Sequence, residues 1–369
     1  MGLTPLRLTG SAAEMGAAHG ARYRDAIRRF ARERTAMAGS AYWVGRELAR
    51  SEVLDIARGC MDAHERFDAS LTSELQAMAE AAGLDIADML VVGGFTDLVD
   101  TIYGRHGHGA PAPRGADQCT ALLVPGTRCA DGNALFAQTW DMHESAAEHV
   151  LLVEATPDDA PAFTVFTSMG CPGMIGMNEH GITVGINNLV ATDGQPGVTW
   201  NFIVRAILRQ STLEDALACI TDTPLAGAHN YLLLDSQGRG MNVEAMPSRH
   251  AITPLEQSPL AHTNHCLSDA TLAVERRRLP GSQASSEKRL ARAYALLEQT
   301  PLHDIDSLAA ITRDREAICV EPTAEVREAS CGAVIADPAA GTLWALRGLP
   351  SEQTYQPFRV PNFEPVVQA

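Results

Sequence analysis

The chain has 369 residues, 29 basic and 45 acidic side chains, and a formal net charge of −16. A chain of this length buries a full core without metal or disulfide staples, and 46% hydrophobic with 20% charged residues excludes a disordered or fibrous protein. The acidic balance argues against nucleic acid or an anionic membrane surface as a partner. No apolar run approaches the ~18–20 residues that a bilayer crossing requires.

The N-terminal stretch MGLTPLRLTGSAAEMG lacks the charged-then-apolar pattern of a secretory signal, and the C-terminal PNFEPVVQA carries no lipid-anchor pattern. The expectation is therefore a soluble cytoplasmic protein; a homo-oligomeric state is left open. Residues 10–103 read as helical, with Met15, Ala18, Tyr23, Ile27, Phe30 and Ala31 forming an apolar face at helical spacing. Further helices are expected near 50–66, at 71–83 with its start at Thr72-Ser73-Glu74 and its stop at Gly83, and across 85–103. Residues 104–116 (GRHGHGAPAPRGA) read as a loop and a boundary.

Beyond that loop the pattern turns to strands at 120–125, 134–140, 149–155 and 163–169, then two more around the turn Asn178-Glu179-His180-Gly181. A helix pair is expected over 200–220, with Thr212 capping the second. A hairpin follows at 231–245, helices at 284–299 and 304–312, and a closing hairpin in SCGAVIADPAAGTLWALRG. This order excludes a regular βαβ alternation, and so a doubly wound parallel sheet. Two packed antiparallel sheets with helices outside fit it better, an α+β fold.

The eight cysteines stand at 60, 119, 129, 171, 219, 266, 319 and 331, without a C-x-x-C pair. Most read as free, small core residues, and at most one or two as chemically active. Nucleophile-elbow, P-loop, H-E-x-x-H and dinucleotide motifs are absent. The close histidine pairs, His106 with His108 and His262 with His265, come without converging carboxylates or thiolates. No metal and no cofactor are expected.

Cys119 stands out by position, in Asp117-Gln118-Cys119-Thr120 at the start of the first convincing β run. On position alone it also fits a core residue that happens to begin a strand. The next strand ends in Trp140-Asp141, later come Gly185-Ile186-Asn187-Asn188 after a G-x-N-x-x-G-I turn, and then His262-Thr263-Asn264-His265-Cys266.

This ordered set resembles the isopenicillin-N acyltransferase (acyl-CoA:6-aminopenicillanic acid acyltransferase) family of cysteine N-terminal-nucleophile (Ntn) hydrolases, over roughly residues 117–350. The resemblance implies a four-layer αββα sandwich made as a precursor that cuts itself before the catalytic cysteine. Residues 1–118 would then be a mainly helical α-subunit and 119–369 the catalytic β-subunit, together one domain whose fragments stay associated. It implies Cys119 as nucleophile with its own freed α-amino group as base, and Gln118–Cys119 as the cleaved bond. Asp141 would orient the nucleophile and Asn264 donate to the oxyanion; the plainer alternatives are a turn-capping carboxylate and a structural asparagine. Asn187 aligns with a second site asparagine, and a one-residue slip would give that role to Asn188. Trp140 and Asn188 are the expected substrate contacts, and His262, His265 and Cys266 are given structural roles.

Two departures from the family stand out. Gln118 occupies the position before the cut where glycine is common, and the family's arginine near the final hairpin is replaced by Ser330-Cys331-Gly332-Ala333. The implied activity is hydrolysis of a linear amide in a small N-acyl amine or peptide-like substrate through a Cys119 thioester. Acyl transfer to an amine, and a non-catalytic small-molecule binder on the same fold, are the alternatives.

Overall fold

The computed structural model describes residues 2–106, 118–323 and 327–365. A short strand β1 (Leu6–Gly10) precedes α1 (Ala12–Arg22), α2 (Arg24–Ala38), α3 (Ala41–Val44), α4 (Arg50–Arg58), α5 (Met61–Phe67), α6 (Ala69–Ala82), α7 (Ile86–Gly93) and α8 (Phe95–His106). The N-terminal third is thus helical, but more divided than its periodicity suggested. Gly59 separates α4 from α5, and the helix expected over 85–103 breaks at Gly93–Gly94. Asp68 caps α6 rather than Thr72, its Oδ1 accepting from Leu71 N at 2.9 Å, and Gly83 ends that helix in the left-handed region at φ 68°. Of the loop expected at 104–116, residues 104–106 are the end of α8 and 107–116 lie outside the described residues.

The chain continues with β2 (Gln118–Val124), β3 (Leu135–His143), β4 (Val150–Pro157), β5 (Phe163–Ser168), β6 (Ile175–Asn178) and β7 (Thr183–Asn188), then α9 (Trp200–Ile207) and α10 (Leu213–Thr221). After these come β8 (His229–Leu234), β9 (Gly240–Met246), β10 (Arg249–Pro254), β11 (Leu260–His262), α11 (Asp269–Leu272), α12 (Pro280–Gln299), α13 (Ile305–Thr312), β12 (Glu328–Asp337), β13 (Thr342–Arg347) and β14 (Gln356–Arg359). One sheet runs β1-β4-β5-β6-β7-β8-β9-β10 and the other β11-β2-β3-β12-β13-β14. Neighbours are antiparallel except β1, which lies parallel to β4 with Leu6 opposite Val153.

Side-chain alternation along β2 and β3 builds the layers. Cys119, Ala121, Leu123 and Phe136 enter the core shared with the eight-stranded sheet. Leu122, Val124, Leu135 and Ala137 point the other way, into a second core with Ala293 and Leu297 of α12 and Leu308 of α13. The two sheets approach closely where β2 crosses β7. A Cβ on Gly185 would lie 2.3 Å from Phe136 Cζ, so only glycine fits there. Helices α9 and α10 cover the outer face of the eight-stranded sheet, and α12 and α13 that of the six-stranded one, giving an αββα sandwich.

Buried polar contacts tie the N-terminal helices to α9 and to the segments that follow β7 and precede β8. His64 Nε2 lies 2.9 Å from Thr199 Oγ1, and Asp97 Oδ2 accepts from Trp200 N at 2.6 Å. Asp100 Oδ2 accepts from Ala191 N and Ala228 N, each at 3.1 Å, and Arg205 pairs with Glu74 at 2.8 Å. Among the described residues, no helix is long and apolar enough to cross a membrane.

Candidate active site

Cys119 is the second residue of β2 and fully buried. Register places Gln118 opposite Asp141 and Cys119 opposite Trp140 on β3. Both backbone groups of Cys119 are held by side chains. Its N–H donates to Asn264 Oδ1 at 2.8 Å, and its carbonyl accepts from Arg289 Nη1 at 2.5 Å. Arg289 Nη1 also donates to Thr120 Oγ1 at 3.2 Å, and Nη2 donates to Asn264 Oδ1 at 2.9 Å. The guanidinium is buried, and burial lowers its pKa while Asp141 and Cys119 act to raise it.

Asn264 follows β11 in a loop fastened to α12. Its backbone N–H donates to Ser286 Oγ at 2.9 Å, and His265 Nδ1 lies 2.7 Å from the same hydroxyl. The Asn264 amide then spans two segments, with Oδ1 toward Cys119 and Nδ2 donating to the Asn188 carbonyl at 3.1 Å. That carbonyl also accepts from Arg278 Nη2 at 3.4 Å.

Asp141 is buried at the far end of β3, where its Oδ1 accepts from Ser330 Oγ at 2.6 Å and Oδ2 from Thr139 Oγ1 at 3.4 Å. The partner strand shifts register between Ser330 and Gly332, which sets Ser330 opposite Asp141 and Gly332 opposite Trp140. Burial pushes the Asp141 carboxyl up to about 7, against the downward pull of Arg289 and its hydroxyl partners. A carboxyl at that value exchanges its proton near neutral pH.

Asn187 and Asn188 alternate in direction along β7. Asn187 shares the face of Gly185 and looks toward the six-stranded sheet; its Nδ2 donates to the His262 carbonyl at 3.4 Å and its Oδ1 accepts from Asn230 Nδ2 at 3.2 Å. Asn188 meets Asn264 through its backbone carbonyl. Trp140 lies edge-on to Phe166 with centroids 6.5 Å apart, and it lines a cavity of about 20 Å³ with Arg34, Phe95, Met174 and Trp200. Gln118 is gripped through its side chain: Oε1 accepts from Ser285 Oγ at 2.8 Å and Nε2 donates to Glu328.

The structure thus brings Gln118, Cys119, Trp140, Asp141, Asn264 and the Asn188 carbonyl together, with Asn187 on the facing sheet. Although the final hairpin lacks the family's arginine, a guanidinium does reach Cys119, that of Arg289 from α12. A signal for Arg289 was present, since it lies on one helical stripe with Ser286, Ala293 and Leu297, the buried face of α12. An arginine among core positions needs a buried partner. His262 faces away from this centre, with Nε2 2.9 Å from Glu244 Oε1, and Glu244 also accepts from the backbone of Leu267 and Ser268. None of the eight cysteines is in a disulfide. Among the described residues, no group of His, Cys, Asp and Glu side chains is arranged to hold a metal ion.

The sequence model of the acyl-coenzyme A:6-aminopenicillanic acid acyl-transferase family matches residues 128–351, a span that holds Asp141, Asn187, Asn264 and Arg289 and begins after Cys119. A search of the curated proteins finds no match. Among solved structures, the chain is similar to a mutant conjugated bile acid hydrolase from Clostridium perfringens, at 10% identity and TM-score 0.46 over 68% of this chain and 99% of that one. It is also similar to penicillin V acylase from Agrobacterium tumefaciens, at 13% identity and TM-score 0.45 over 65% and 84% of the two chains.

Proposed function

The chain belongs to the acyl-coenzyme A:6-aminopenicillanic acid acyl-transferase family, and on that premise we propose that it is a self-processing cysteine amidase whose nucleophile is Cys119. The observation that carries this reading is the grip on Cys119 itself, whose N–H is held by Asn264 and whose carbonyl is held by Arg289. A residue tied at both backbone groups keeps its place when the bond before it is cut.

In the precursor, Cys119 Sγ attacks the Gln118 carbonyl and the Cys119 nitrogen leaves with the thiol proton. Water then opens the thioester and frees an α-amino group beside Asn264 Oδ1. An α-amine ionises near about 8 and a thiol near about 8.5, so the two exchange a proton at little cost. In turnover the amine takes the thiol proton, Sγ attacks the substrate carbonyl, and the leaving amine departs with that proton. An amide NH₂ has two donors; one of those on Asn264 engages Asn188, and the other is assigned to the oxyanion. Asp141 and Ser330 fix the β3 end on which Gln118 and Cys119 are paired.

Hydrolysis is the proposed outcome for a small N-acyl amine or peptide-like amide, because water reaches any open thioester. The family's acyl-transferase description favours a second outcome, transfer of the acyl group to an amine. The experiment is a panel of N-acyl amines, amino-acid amides and small peptides, with and without an added amine. Cys119→Ala is expected to release nothing, and Cys119→Ser to turn over poorly because a hydroxyl is a far weaker acid. Wild-type rates from Cys119→Ala would remove the assignment.

A further inference from the structure

A cavity of about 390 Å³ opens beside the Gln118–Cys119 bond, lined in part by Gln118, Ser285, Lys288, Arg289, Arg315 and Glu328. The Gln118 side chain lies in it with both ends of its carboxamide paired: Ser285 Oγ donates to Oε1 at 2.8 Å, and Nε2 donates to the Glu328 carboxylate. Both partners sit on regular elements downstream of the cut, Ser285 on α12 and Glu328 at the first residue of β12. Self-cleavage attacks only the backbone carbonyl of residue 118, so its bond changes do not call for a side chain paired at both ends. The cations around it are engaged elsewhere. Lys288 Nζ donates to the Glu316 carbonyl at 2.7 Å, Arg315 pairs with Glu321 at 3.0 Å, and Arg289 holds Cys119.

We infer that Ser285 and Glu328 form the acyl subsite of the processed enzyme, and that it takes acyl groups ending in a neutral primary carboxamide at the reach of a glutamine side chain. The inference rests on Cys119 being the nucleophile. In self-cleavage Sγ forms a bond to the Gln118 carbonyl carbon, the bond to Cys119 N breaks, and the thiol proton goes to that nitrogen. Water next adds to the thioester, releasing the Gln118 carboxylic acid and returning a proton to sulfur. The thioester between these steps is an acyl-enzyme, with the same C–S bond that a substrate forms. The side chain it carries is a glutamine side chain, and the groups that hold it remain on the catalytic fragment. A substrate acyl group enters the same place once Gln118 has left it.

The chemistry of the pair defines the class. A carboxylate accepts from an amide NH₂ and repels another carboxylate, while a hydroxyl donates to the amide oxygen. An apolar chain satisfies neither, and a site built on hydrogen bonds discriminates strongly against the analogue that lacks them.

Two measurements test this, one independent of catalysis. In the first, the uncleaved Cys119→Ala chain carrying Gln118→Gly is titrated by calorimetry with N-acetylglutamine, N-acetylglutamate and N-acetylnorleucine. N-acetylglutamine is expected to bind at least about tenfold more tightly than either control, and Ser285→Ala in the same chain to remove most of that margin. Equal binding of the three probes overturns the inference. In the second, the processed wild-type protein is given carbamoylbutyryl and hexanoyl amides of one amine. The carbamoylbutyryl amide is expected to have a kcat/KM higher by at least about tenfold. Equal kcat/KM values overturn the subsite while leaving the amidase standing. If no amide shows Cys119-dependent turnover, the amidase reading itself fails, and the calorimetry still decides the grip.

Discussion

Replacing Asp141 by asparagine removes a carboxyl whose ionisation the fold opposes. Burial pushes this group from its ordinary value of 3.8 up to about 7. Between those values the folded chain holds a proton that the unfolded chain has lost, so stability falls as pH rises through the window. The penalty is absent below about pH 4 and complete above about pH 7. At roughly 1.4 kcal/mol for each pH unit between them, the full effect is about 4 kcal/mol, of which about 3 kcal/mol accrues between about pH 5 and pH 8.5. Asparagine keeps an acceptor for Ser330 Oγ and does not titrate. The assay is urea unfolding at both pH values, with each protein also carrying Cys119→Ala so that it stays one chain. The stability of Asp141→Asn relative to its parent is expected to improve by about 3 kcal/mol on going from about pH 5 to pH 8.5. The Arg289 attraction acts only on the ionised carboxyl and is already contained in the value of about 7, and any pH-independent change in packing cancels in that comparison. A difference that is the same at both pH values would show that the buried Asp141 carboxyl does not titrate between them.

Arg289→Met leaves the Cys119 carbonyl and Asn264 Oδ1 without their charged donor. It is expected to cost about 3–5 kcal/mol in urea unfolding and to slow self-cleavage in a time course; unchanged values of both would contradict its role. Asn264→Ala is expected to lower kcat by roughly 10²–10³ with a much smaller change in KM, and a near-normal kcat would take Asn264 out of the oxyanion role. After cleavage, residues 1–118 and 119–369 are expected to elute together in native gel filtration, since Asp97 and Asp100 hold backbone N–H groups of Trp200, Ala191 and Ala228 across the cut. A separately eluting small fragment counts against this.

Strands with one face on each core were legible, because Cys119, Ala121 and Leu123 alternate with Leu122 and Val124 across two apolar layers. The meeting of Cys119, Asp141 and Asn264 followed from the resemblance and is visible in the geometry. Other features lie beyond local pattern. β10 is largely exposed, so its residues show no apolar alternation, and β11 has only three residues. The contact between Ser330 and Asp141 depends on a register shift in β12, which no residue spacing displays. Whether Asn187 or Asn188 faces the other sheet turns on the alternation along β7, and Gly185 against Phe136 puts Asn187 on that face. Arg289 was readable as a charge on an apolar stripe, but its partners come from segments far away in the chain.

Whether the bond before Cys119 is cut tests most directly whether this cysteine is a self-freed nucleophile. The purified wild-type protein is separated under denaturing conditions, and its fragments are weighed by mass spectrometry and sequenced from their N-termini. Two fragments are expected, the larger beginning Cys119-Thr120-Ala121, whereas Cys119→Ala is expected to remain a single chain of 39.4 kDa without amide turnover. A wild-type chain that turns over amide at full rate with its Gln118–Cys119 bond intact would contradict that expectation.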